Sequence, residues 1–442
     1  MRFLLASLLC CVFIGVSVSQ GQNVPVQRTY EEIKSFPEGL IGPWQVGNQT
    51  FIATDQTKFT LDHPALVGSL VEVTFIDNNG QLIAVEIEPQ STSTADLVDG
   101  PHALWRDDGS VDIIRFREGQ LQKQRLPYKT AEDNTAAGNT ASDMYLNSNA
   151  VSPPAATWDM PSRLLVISDI EGNYQALFTF LLGNGVINQD GDWTWGDGHL
   201  LFNGDIVDRG DKVTETLLLI RRLQREAAAA GGRVHYVLVN HEAMIMAGDL
   251  RYVHPKYHFL CGRYGLTYDQ LYGPQSEMGR WLRSQNTVTR IGPLLFVHGG
   301  YSPALNDLTL TPDQINDLIR SQLGPPKWPD KTDLPTSLAW NMQGPMWYRG
   351  YFDKYATDFG PMPTDAQLQS ILQRHNAKHI VVGHSVVDDV TWIDDNQRLI
   401  GVDVDWADPE EAEGLILENG TLSRIDSKGV RRPLSSLPNT AP

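Results

Sequence analysis

RLLVISDIEGN (163–173) joins a short apolar run to two acidic residues, Asp169 and Glu171. Residues 163–168 are rich in Leu, Val and Ile and are flanked by polar residues, which is typical of a buried strand. Four further runs of this kind follow at 199–203, 234–239, 294–298 and 379–382. Helical patterns separate these runs. The alternation predicts an α/β domain with buried strands.

Each apolar run is followed by side chains of the types that can bind metals or transfer protons. In chain order these are Asp169 and Glu171, then Asp205, Asp208 and Arg209, then Asn240 and His241, then His298, and finally His384. Each could have a structural role alone: His298 as a core histidine, Asp205 as a helix cap. Ligands of α/β sheets bind outside the carboxyl ends of the strands. Five successive strand ends of this kind therefore favour one shared site.

The motifs at these strand ends also resemble a known family. The order DxE, GDxxDRG, NHE, HGG and GH resembles the calcineurin-like metallophosphoesterases, specifically their phosphoprotein phosphatase (PPP) branch. The stretches at 240–253, 279–303 and 344–351 resemble the bacterial Shewanella-like phosphatases within that branch. The resemblance covers about residues 161–405. It implies an α/β (α+β) fold, a β-sandwich of two mixed sheets flanked by helices, in place of a doubly wound sheet.

The resemblance implies a site for two divalent metal ions. Its first metal position would use Asp169, Glu171 and Asp205. Its second position would use Asp205, Asn240, His298 and His384, so that Asp205 bridges the two ions. By this resemblance, the two ions would share a hydroxide that attacks phosphorus directly.

The resemblance also implies roles for residues that hold the substrate. Arg209 and Arg349 would bind the phosphate, because a guanidinium matches phosphate oxygens as a bidentate fork. His241 would protonate the leaving alcohol, and Asp208 would orient it. Arg251 is a weaker candidate for substrate contact.

The chain departs from the family at two positions. Glu171 stands where the family has His, and Val239 stands where it usually has Gly before Asn240. An additional carboxylate at the first metal position favours manganese over zinc, with iron as a further candidate. The alternative for Glu171 is a structural role, capping the helix predicted to start near Asn173.

The remaining chain divides by composition. Residues 1–19 are predicted to be a signal peptide, because Arg2 precedes an apolar stretch that ends in small residues. Residues 20–127 are predicted to form a small all-β domain, a barrel or sandwich, with hairpin turns at 78–80 and 107–109. Residues 128–160 are predicted to be a linker or arm, 161–427 the catalytic domain and 428–442 a polar tail.

Charge and cysteine content restrict the class of protein. The net charge is −18, so general binding to nucleic acid or to anionic membranes is not expected. After the leader, Cys261 is the remaining cysteine, and we expect it to be buried rather than nucleophilic. The leader predicts an exported protein, periplasmic or secreted, without a membrane span after signal removal.

Three functional hypotheses follow from the sequence. The first is a metal-dependent phosphatase of phosphomonoesters, acting on a phosphoprotein or phosphopeptide, with tyrosine or serine/threonine left open. The second is a nucleotidase or phosphodiesterase with the same two metals. The third is a surface-binding protein that has lost catalysis. Metal identity, oligomeric state and the role of the N-terminal β domain are left open by the sequence.

Overall fold

The computed structural model describes residues 16–17, 23–127, 146, 151–324 and 333–436. Most of the predicted signal peptide and linker, and the end of the polar tail, lie outside these described residues. The chain forms two compact units. The first comprises Met1–Pro101, Asp112–Arg125 and Val253–Tyr268, and the second comprises His102–Val111, Leu126–Tyr252 and Asp269–Pro442.

The N-terminal part of the chain consists of strands. Their bounds are β1 Val16–Ser17, β2 Asn23–Val24, β3 Gln27–Ser35, β4 Gly42–Val46, β5 Gln49–Ala53, β6 Lys58–Phe59, β7 Ser69–Asn78, β8 Gln81–Ser93, β9 Asp99–Trp105, β10 Val111–Arg117 and β11 Gln120–Leu126. Strand β1 pairs with β2, and β9, β10 and β11 form a separate sheet of order β11-β10-β9.

Strands β3 to β8 form a barrel, one of the two architectures predicted for this region. The strand order is β5-β4-β3-β7-β8-β6, and an additional parallel pairing of β5 with β8 closes the ring. Its interior holds the fully buried rings of Trp44 and Phe51. Asn79 and Gly80 both have positive φ between the paired residues Asn78 and Gln81, as the predicted hairpin turn requires.

The segment Val253–Tyr268 groups with the N-terminal unit, although the sequence placed it within the catalytic domain. It contains the helix Pro255–Tyr264. His258 stacks on Tyr30 with a ring separation of 4.3 Å, and Arg263 forms an ion pair of 2.9 Å with Glu31. These contacts join residues that are remote in sequence, so no local pattern predicts them.

The second unit contains two mixed sheets, as the family resemblance predicted. Its strands are β12 Thr157–Trp158, β13 Arg163–Ile167, β14 His199–Phe202, β15 Arg233–Tyr236, β16 Val288–Ile291, β17 Leu294–Val297, β18 His379–Val382, β19 Thr391–Trp392, β20 Leu399–Gly401, β21 Glu413–Glu418, β22 Thr421–Asp426, β23 Arg431–Arg432 and β24 Ser435–Ser436. One sheet has the order β12-β16-β17-β18-β20-β19-β24, and the other has the order β15-β14-β13-β21-β22-β23.

The buried strands explain the apolar runs in the sequence. In β13, the residues from Leu164 to Ile167 are all buried, and β14 and β17 have equally buried interiors. A strand covered on both faces has no solvent-facing positions, so its sequence does not alternate.

Helices of the second unit lie between these strands in sequence. They are Tyr174–Gly183, Val213–Ala229, Asn240–Ala247, Glu277–Ser284, Pro303–Asp307, Pro312–Gln322, Ala356–Phe359 and Asp365–Arg374, with a 3-10 turn at Asp353–Tyr355. The short helix Tyr268–Leu271 begins at the last residue of a first-unit segment and continues into the second unit. The longest, Val213–Ala229, buries apolar residues such as Leu217, Ile220 and Leu223. Within the described residues, no helix has the length and apolar character needed to cross a bilayer.

Two predicted irregular segments take part in the sheets. Thr157–Trp158, at the end of the predicted linker, pairs with β16 as an edge strand. Arg431–Arg432 and Ser435–Ser436, in the predicted polar tail, pair with β22 and β19. These residues of the predicted polar tail pair at sheet edges, because polar composition does not prevent backbone pairing there.

Candidate active site

The candidate residues lie on loops that follow the central strands, and several adopt a left-handed backbone. Positive φ values between 49° and 70° occur at Asp169, Glu171, Asp205, Asp208, Arg209 and His384. This conformation is costly for residues other than glycine and is concentrated at functional sites. Backbone hydrogen bonds hold the loops together: Glu171 N–H donates to Asp205 O, and Gly210 N–H donates to Glu171 O.

Two glycines allow close packing around the site. A Cβ at Gly383 would lie 2.4 Å from Asp169 Oδ2 and 3.0 Å from His298 Nδ1. A Cβ at Gly204 would lie 2.3 Å from Val239 Cγ1. Val239 has an extended backbone, with φ −140°, which a β-branched residue readily adopts. The loop therefore accommodates Val239 because Gly204 leaves room for it.

Ligand-type atoms gather in two groups that share one residue. Atoms of Asp169, Glu171 and Asp205 lie within 4.8 Å of one another, and so do atoms of Asp205, His298 and His384. Asp205 is common to both groups, at the position expected for a bridging ligand. Asn240 begins the helix Asn240–Ala247, and its buried Oδ1 has no hydrogen-bond partner within the described residues.

His298 Nε2 and Asp205 Oδ2 face each other in an arrangement that fits a bound cation. His298 Nδ1 lies 2.7 Å from Asn203 O, so this nitrogen donates its proton to the carbonyl. In the neutral ring, Nε2 then carries a lone pair, and it lies 3.0 Å from Asp205 Oδ2. This nitrogen is buried and has no hydrogen-bond partner in the described part of the chain. Two electron-pair donors at this distance fit a shared divalent cation.

Buried carboxylates give the site a concentrated negative charge. Burial raises the pKa of Asp169 well above its ordinary value, and the charges of Asp403 and Asp205 raise it further. Burial also favours a raised pKa at Asp205, but His241 and His298 outweigh it and lower the pKa below the ordinary value. Carboxylates packed this closely are stabilised by cations.

His241 lies between two carboxylates. Its Nδ1 is 2.6 Å from Asp208 Oδ2, and its Nε2 is 3.9 Å from Asp205 Oδ2. Burial acts to lower the pKa of His241, but Asp205 and the hydrogen bond with Asp208 raise it above the ordinary value. Asp208 therefore holds the ring through Nδ1 and leaves Nε2 to carry a proton.

The two candidate phosphate-binding arginines have different surroundings. The Arg209 guanidinium forms an ion pair with the Glu171 carboxylate and lies 5.4 Å from the centre of the Tyr252 ring. Arg349 donates to Ser385 Oγ at 3.2 Å and Tyr355 Oη at 3.3 Å. Both arginines line an open cleft of about 570 Å³.

The cleft brings together most of the predicted residues. Its lining includes Asp169, Glu171, Asp205, Arg209, His241, Arg349 and His384, together with Asp403 and Asp405. The weaker candidate Arg251 is not part of this lining and instead binds the Asp249 carboxylate at 2.9 and 2.7 Å.

The structural alternative for Glu171 has no side-chain capping hydrogen bond to support it. The following helix begins at Tyr174, its N-cap is Asn173, and no side chain caps it. The Glu171 carboxylate is instead directed to Arg209 and to the group formed with Asp169 and Asp205.

Asp403 is a site residue that the sequence analysis missed. It is 6% exposed, lines the cleft and follows strand β20. Burial raises its pKa to about 7. The signal was the apolar stretch 399–402 directly before an acidic residue, the same pattern that identified the other strand ends.

Comparisons with known proteins agree with this geometry. The sequence pattern described as "Calcineurin-like phosphoesterase" matches residues 162–388. A second pattern, described as a domain of unknown function, matches residues 33–88. The crystal structure of the cold-active protein-tyrosine phosphatase of a psychrophilic Shewanella species is 32% identical, with a TM-score of 0.66. That alignment covers 76% of this chain and 99% of the Shewanella chain.

Curated relatives match over shorter lengths. An uncharacterized protein of Schizosaccharomyces pombe is 31% identical over 201 residues, which is 43% of this chain and 58% of the relative. Shewanella-like protein phosphatase 1 of Plasmodium berghei is 26% identical over 231 residues, 50% of this chain and 61% of the relative. The chain therefore spans about three fifths of the length of these two relatives.

Proposed function

This chain belongs to the calcineurin-like phosphoesterase family, in its PPP branch, and we propose from this that it is a metal-dependent phosphatase of phosphomonoesters. The observation that carries the proposal is the position of Asp205, which is shared by two groups of ligand atoms. Two neighbouring metal ions need a shared ligand, and a carboxylate that belongs to both groups of ligand atoms meets this need.

The residues suit two divalent ions. Asp169, Glu171 and Asp205 would hold the first, and Asp205, Asn240, His298 and His384 would hold the second. When bound, such ions supply Lewis-acid activation of water and of the phosphoryl group. We propose manganese, with iron or zinc as the alternatives, because the first group offers carboxylate oxygens alone.

The other residues bind the substrate and move its proton. Arg209 and Arg349 bind the phosphate oxygens from the walls of the cleft. His241 holds a proton at Nε2 and delivers it to the leaving alcohol, while Asp208 fixes the ring through Nδ1. The cleft is open, which suits a phosphorylated side chain presented by a peptide or protein.

The proposed substrate is a phosphopeptide or phosphoprotein. The solved Shewanella structure bears the name of a protein-tyrosine phosphatase, so phosphotyrosine is our first candidate, ahead of phosphoserine and phosphothreonine. A nucleotide or a phosphodiester is the competing substrate class for the same residues.

A panel of substrates tests this proposal. The purified protein with manganese is assayed on phosphotyrosine and phosphoserine peptides, a nucleoside monophosphate and a bis-ester, with Asp205→Asn as the inactive control. We expect the phosphopeptides to be hydrolysed fastest. Preference for the nucleotide or the bis-ester would replace the substrate assignment. No hydrolysis of any substrate, with metals bound, would favour the surface-binding hypothesis.

Export is a separate proposal that rests on the leader sequence. We propose that the mature protein begins near Gln20 and is periplasmic or secreted. Terminal sequencing of the fractionated native protein tests it. An intact N-terminus in the membrane pellet would contradict it.

A further inference from the structure

Glu171 contacts two parts of the site at once. Its carboxylate belongs to the group of ligand atoms with Asp169 and Asp205, and it also forms an ion pair with the Arg209 guanidinium. The backbone of Glu171 is joined to the residue that follows Arg209, because Gly210 N–H donates to Glu171 O. A carboxylate with two oxygens can serve a metal ion on one side and a guanidinium on the other.

The two cleft arginines therefore differ in their side-chain partners before phosphate binds. Arg349 is held by the hydroxyls of Ser385 and Tyr355 and by the His384 ring, and none of these hydrogen-bond partners is a carboxylate. Arg209 is paired with a carboxylate. A phosphate that binds Arg209 must compete with Glu171 for the guanidinium nitrogen Nη1.

We propose that Glu171 couples metal binding to phosphate binding by controlling the availability of Arg209. Without metal, the Glu171 charge is satisfied by Arg209, and the guanidinium is occupied. When a divalent ion occupies the first position, it attracts Glu171 and the ion pair weakens, so that Arg209 becomes available to phosphate. Thermodynamic linkage requires that phosphate in turn strengthens metal binding by the same factor.

This coupling depends on the carboxylate at position 171. The sequence resemblance implies a histidine here in the family, and a neutral imidazole cannot neutralise a guanidinium. The inference rests on the proposed function only in taking phosphate as the ligand of Arg209.

The test measures the affinity for inorganic phosphate in the metal-free full-length protein, without catalysis. Titration calorimetry compares wild type, Glu171→Gln and Asp405→Asn. Asp405 lines the same cleft and is exposed, so its replacement controls for the general loss of one negative charge. We expect Glu171→Gln to bind phosphate at least about fivefold more tightly than wild type, the lower end of typical coupling between sites. Asp405→Asn should change the affinity by less than about twofold, because an exposed charge is screened.

A second measurement covers the case in which metal-free phosphate binding is too weak to detect. Modification of Arg209 by an arginine-specific dicarbonyl, followed by peptide mass spectrometry, reports its availability directly, with Arg349 as the internal standard. The rate at Arg209 should rise in Glu171→Gln and on manganese loading of wild type. Equal rates and affinities for Glu171→Gln and Asp405→Asn would overturn the coupling. Hydrolysis by wild type would then still support the proposed function, whereas absence of hydrolysis with normal coupling would count against that function alone.

Discussion

His241 Nδ1 lies 2.6 Å from Asp208 Oδ2, and both side chains are buried. This contact fixes the orientation of the imidazole. Burial acts to lower the pKa of His241, but Asp205 and Asp208 raise it above the ordinary value. The ring therefore keeps its proton to a higher pH than a free histidine, as a general acid at neutral pH requires.

His241→Ala tests the general-acid role by its dependence on the leaving group. An alkyl or phenyl phosphate needs a proton on its departing oxygen, whereas p-nitrophenolate leaves readily without one. We expect kcat to fall about 10²- to 10⁴-fold for the poor leaving group and much less for p-nitrophenyl phosphate. Steady-state kinetics on both substrates measure this. Equal losses on both would indicate a structural or binding role.

Asp205→Asn should remove metal from both positions, because each loses its shared anionic ligand. We expect kcat to fall by more than about 100-fold, since loss of even a supporting group around a metal costs 10- to 100-fold. Elemental analysis of the dialysed protein gives the metal content independently of activity. Asp405→Asn serves as the control, because it removes an exposed carboxylate from the same cleft. Two tightly bound metals in Asp205→Asn would disprove the bridging role.

Gly204→Ala should destabilise the fold through contact with Val239. The new Cβ would lie 2.3 and 2.4 Å from the two Val239 methyl groups, and φ at position 204 is +88°. We expect a loss of about 2–4 kcal/mol in the free energy of unfolding, from overpacking and from the left-handed backbone.

A matched control separates these two costs. Gly231 has φ +84°, but a Cβ there meets no atom within 4 Å, so Gly231→Ala incurs the backbone cost alone. Adding Val239→Ala to Gly204→Ala should relieve the overpacking. The remaining loss in the free energy of unfolding should then equal that of Gly231→Ala. Equal denaturation midpoints for the two single variants would show that Val239 does not restrict the loop.

Acid should weaken the fold through a histidine pair outside the cleft. His235 Nε2 lies 3.0 Å from His199 Nδ1. Burial lowers the pKa of His235 well below its ordinary value, aided by His199 and Arg233. Burial and Arg233 lower the pKa of His199 to about 4.

The lowered pKa of His199 and the lowered pKa of His235 predict the same pH dependence of stability. In the unfolded chain both histidines bind protons below about pH 6.5. In the folded protein His199 stays neutral until about pH 4, and the pKa of His235 also lies well below its ordinary value. The free energy of unfolding should therefore fall as pH decreases from about 6.5 to about 4. Urea denaturation across this range should show a shallower dependence in the double variant His199→Gln/His235→Gln. An unchanged slope would exclude this pair as its source.

The sequence predicted the features that depend on local pattern. The residues from Leu164 to Ile167 form an unbroken apolar run because their strand is covered on both faces. Asn79 and Gly80 form the predicted turn because both tolerate positive φ. The apolar run also predicted that Asp169 lies just beyond a strand end, and that strand ends at Ile167.

Features that depend on remote contacts could not be predicted. The segment containing His258 joins the N-terminal unit through Tyr30, and no local pattern encodes that partner. Asp403 was missed although the apolar stretch 399–402 precedes it, because its strand has only three residues and the signal is weak beside those of the longer runs. The ion pair of Glu171 with Arg209 depends on how two loops approach each other in the folded chain.

The carboxylate of Glu171 also predicts which metal the first position selects. This prediction does not depend on the contact between Glu171 and Arg209. If its carboxylate completes the first metal position with Asp169 and Asp205, that position has oxygen donors alone and should prefer manganese or iron to zinc, because harder ions suit oxygen ligands. Glu171→His introduces an imidazole and should shift the preference toward zinc.

Glu171→Ala tests whether the Glu171 carboxylate is a metal ligand. It should lower metal affinity and activity together, with partial recovery in excess manganese, because two of the three carboxylates remain. Competitive metal titrations of wild type, Glu171→His and Glu171→Ala measure this, with Asp405→Ala as the control for removal of a carboxylate from the cleft. A ligand role requires that Glu171→Ala loses affinity while Asp405→Ala does not. If Glu171→Ala instead binds two metals as tightly as wild type, the Glu171 carboxylate serves Arg209 alone, and the first position is completed by another group.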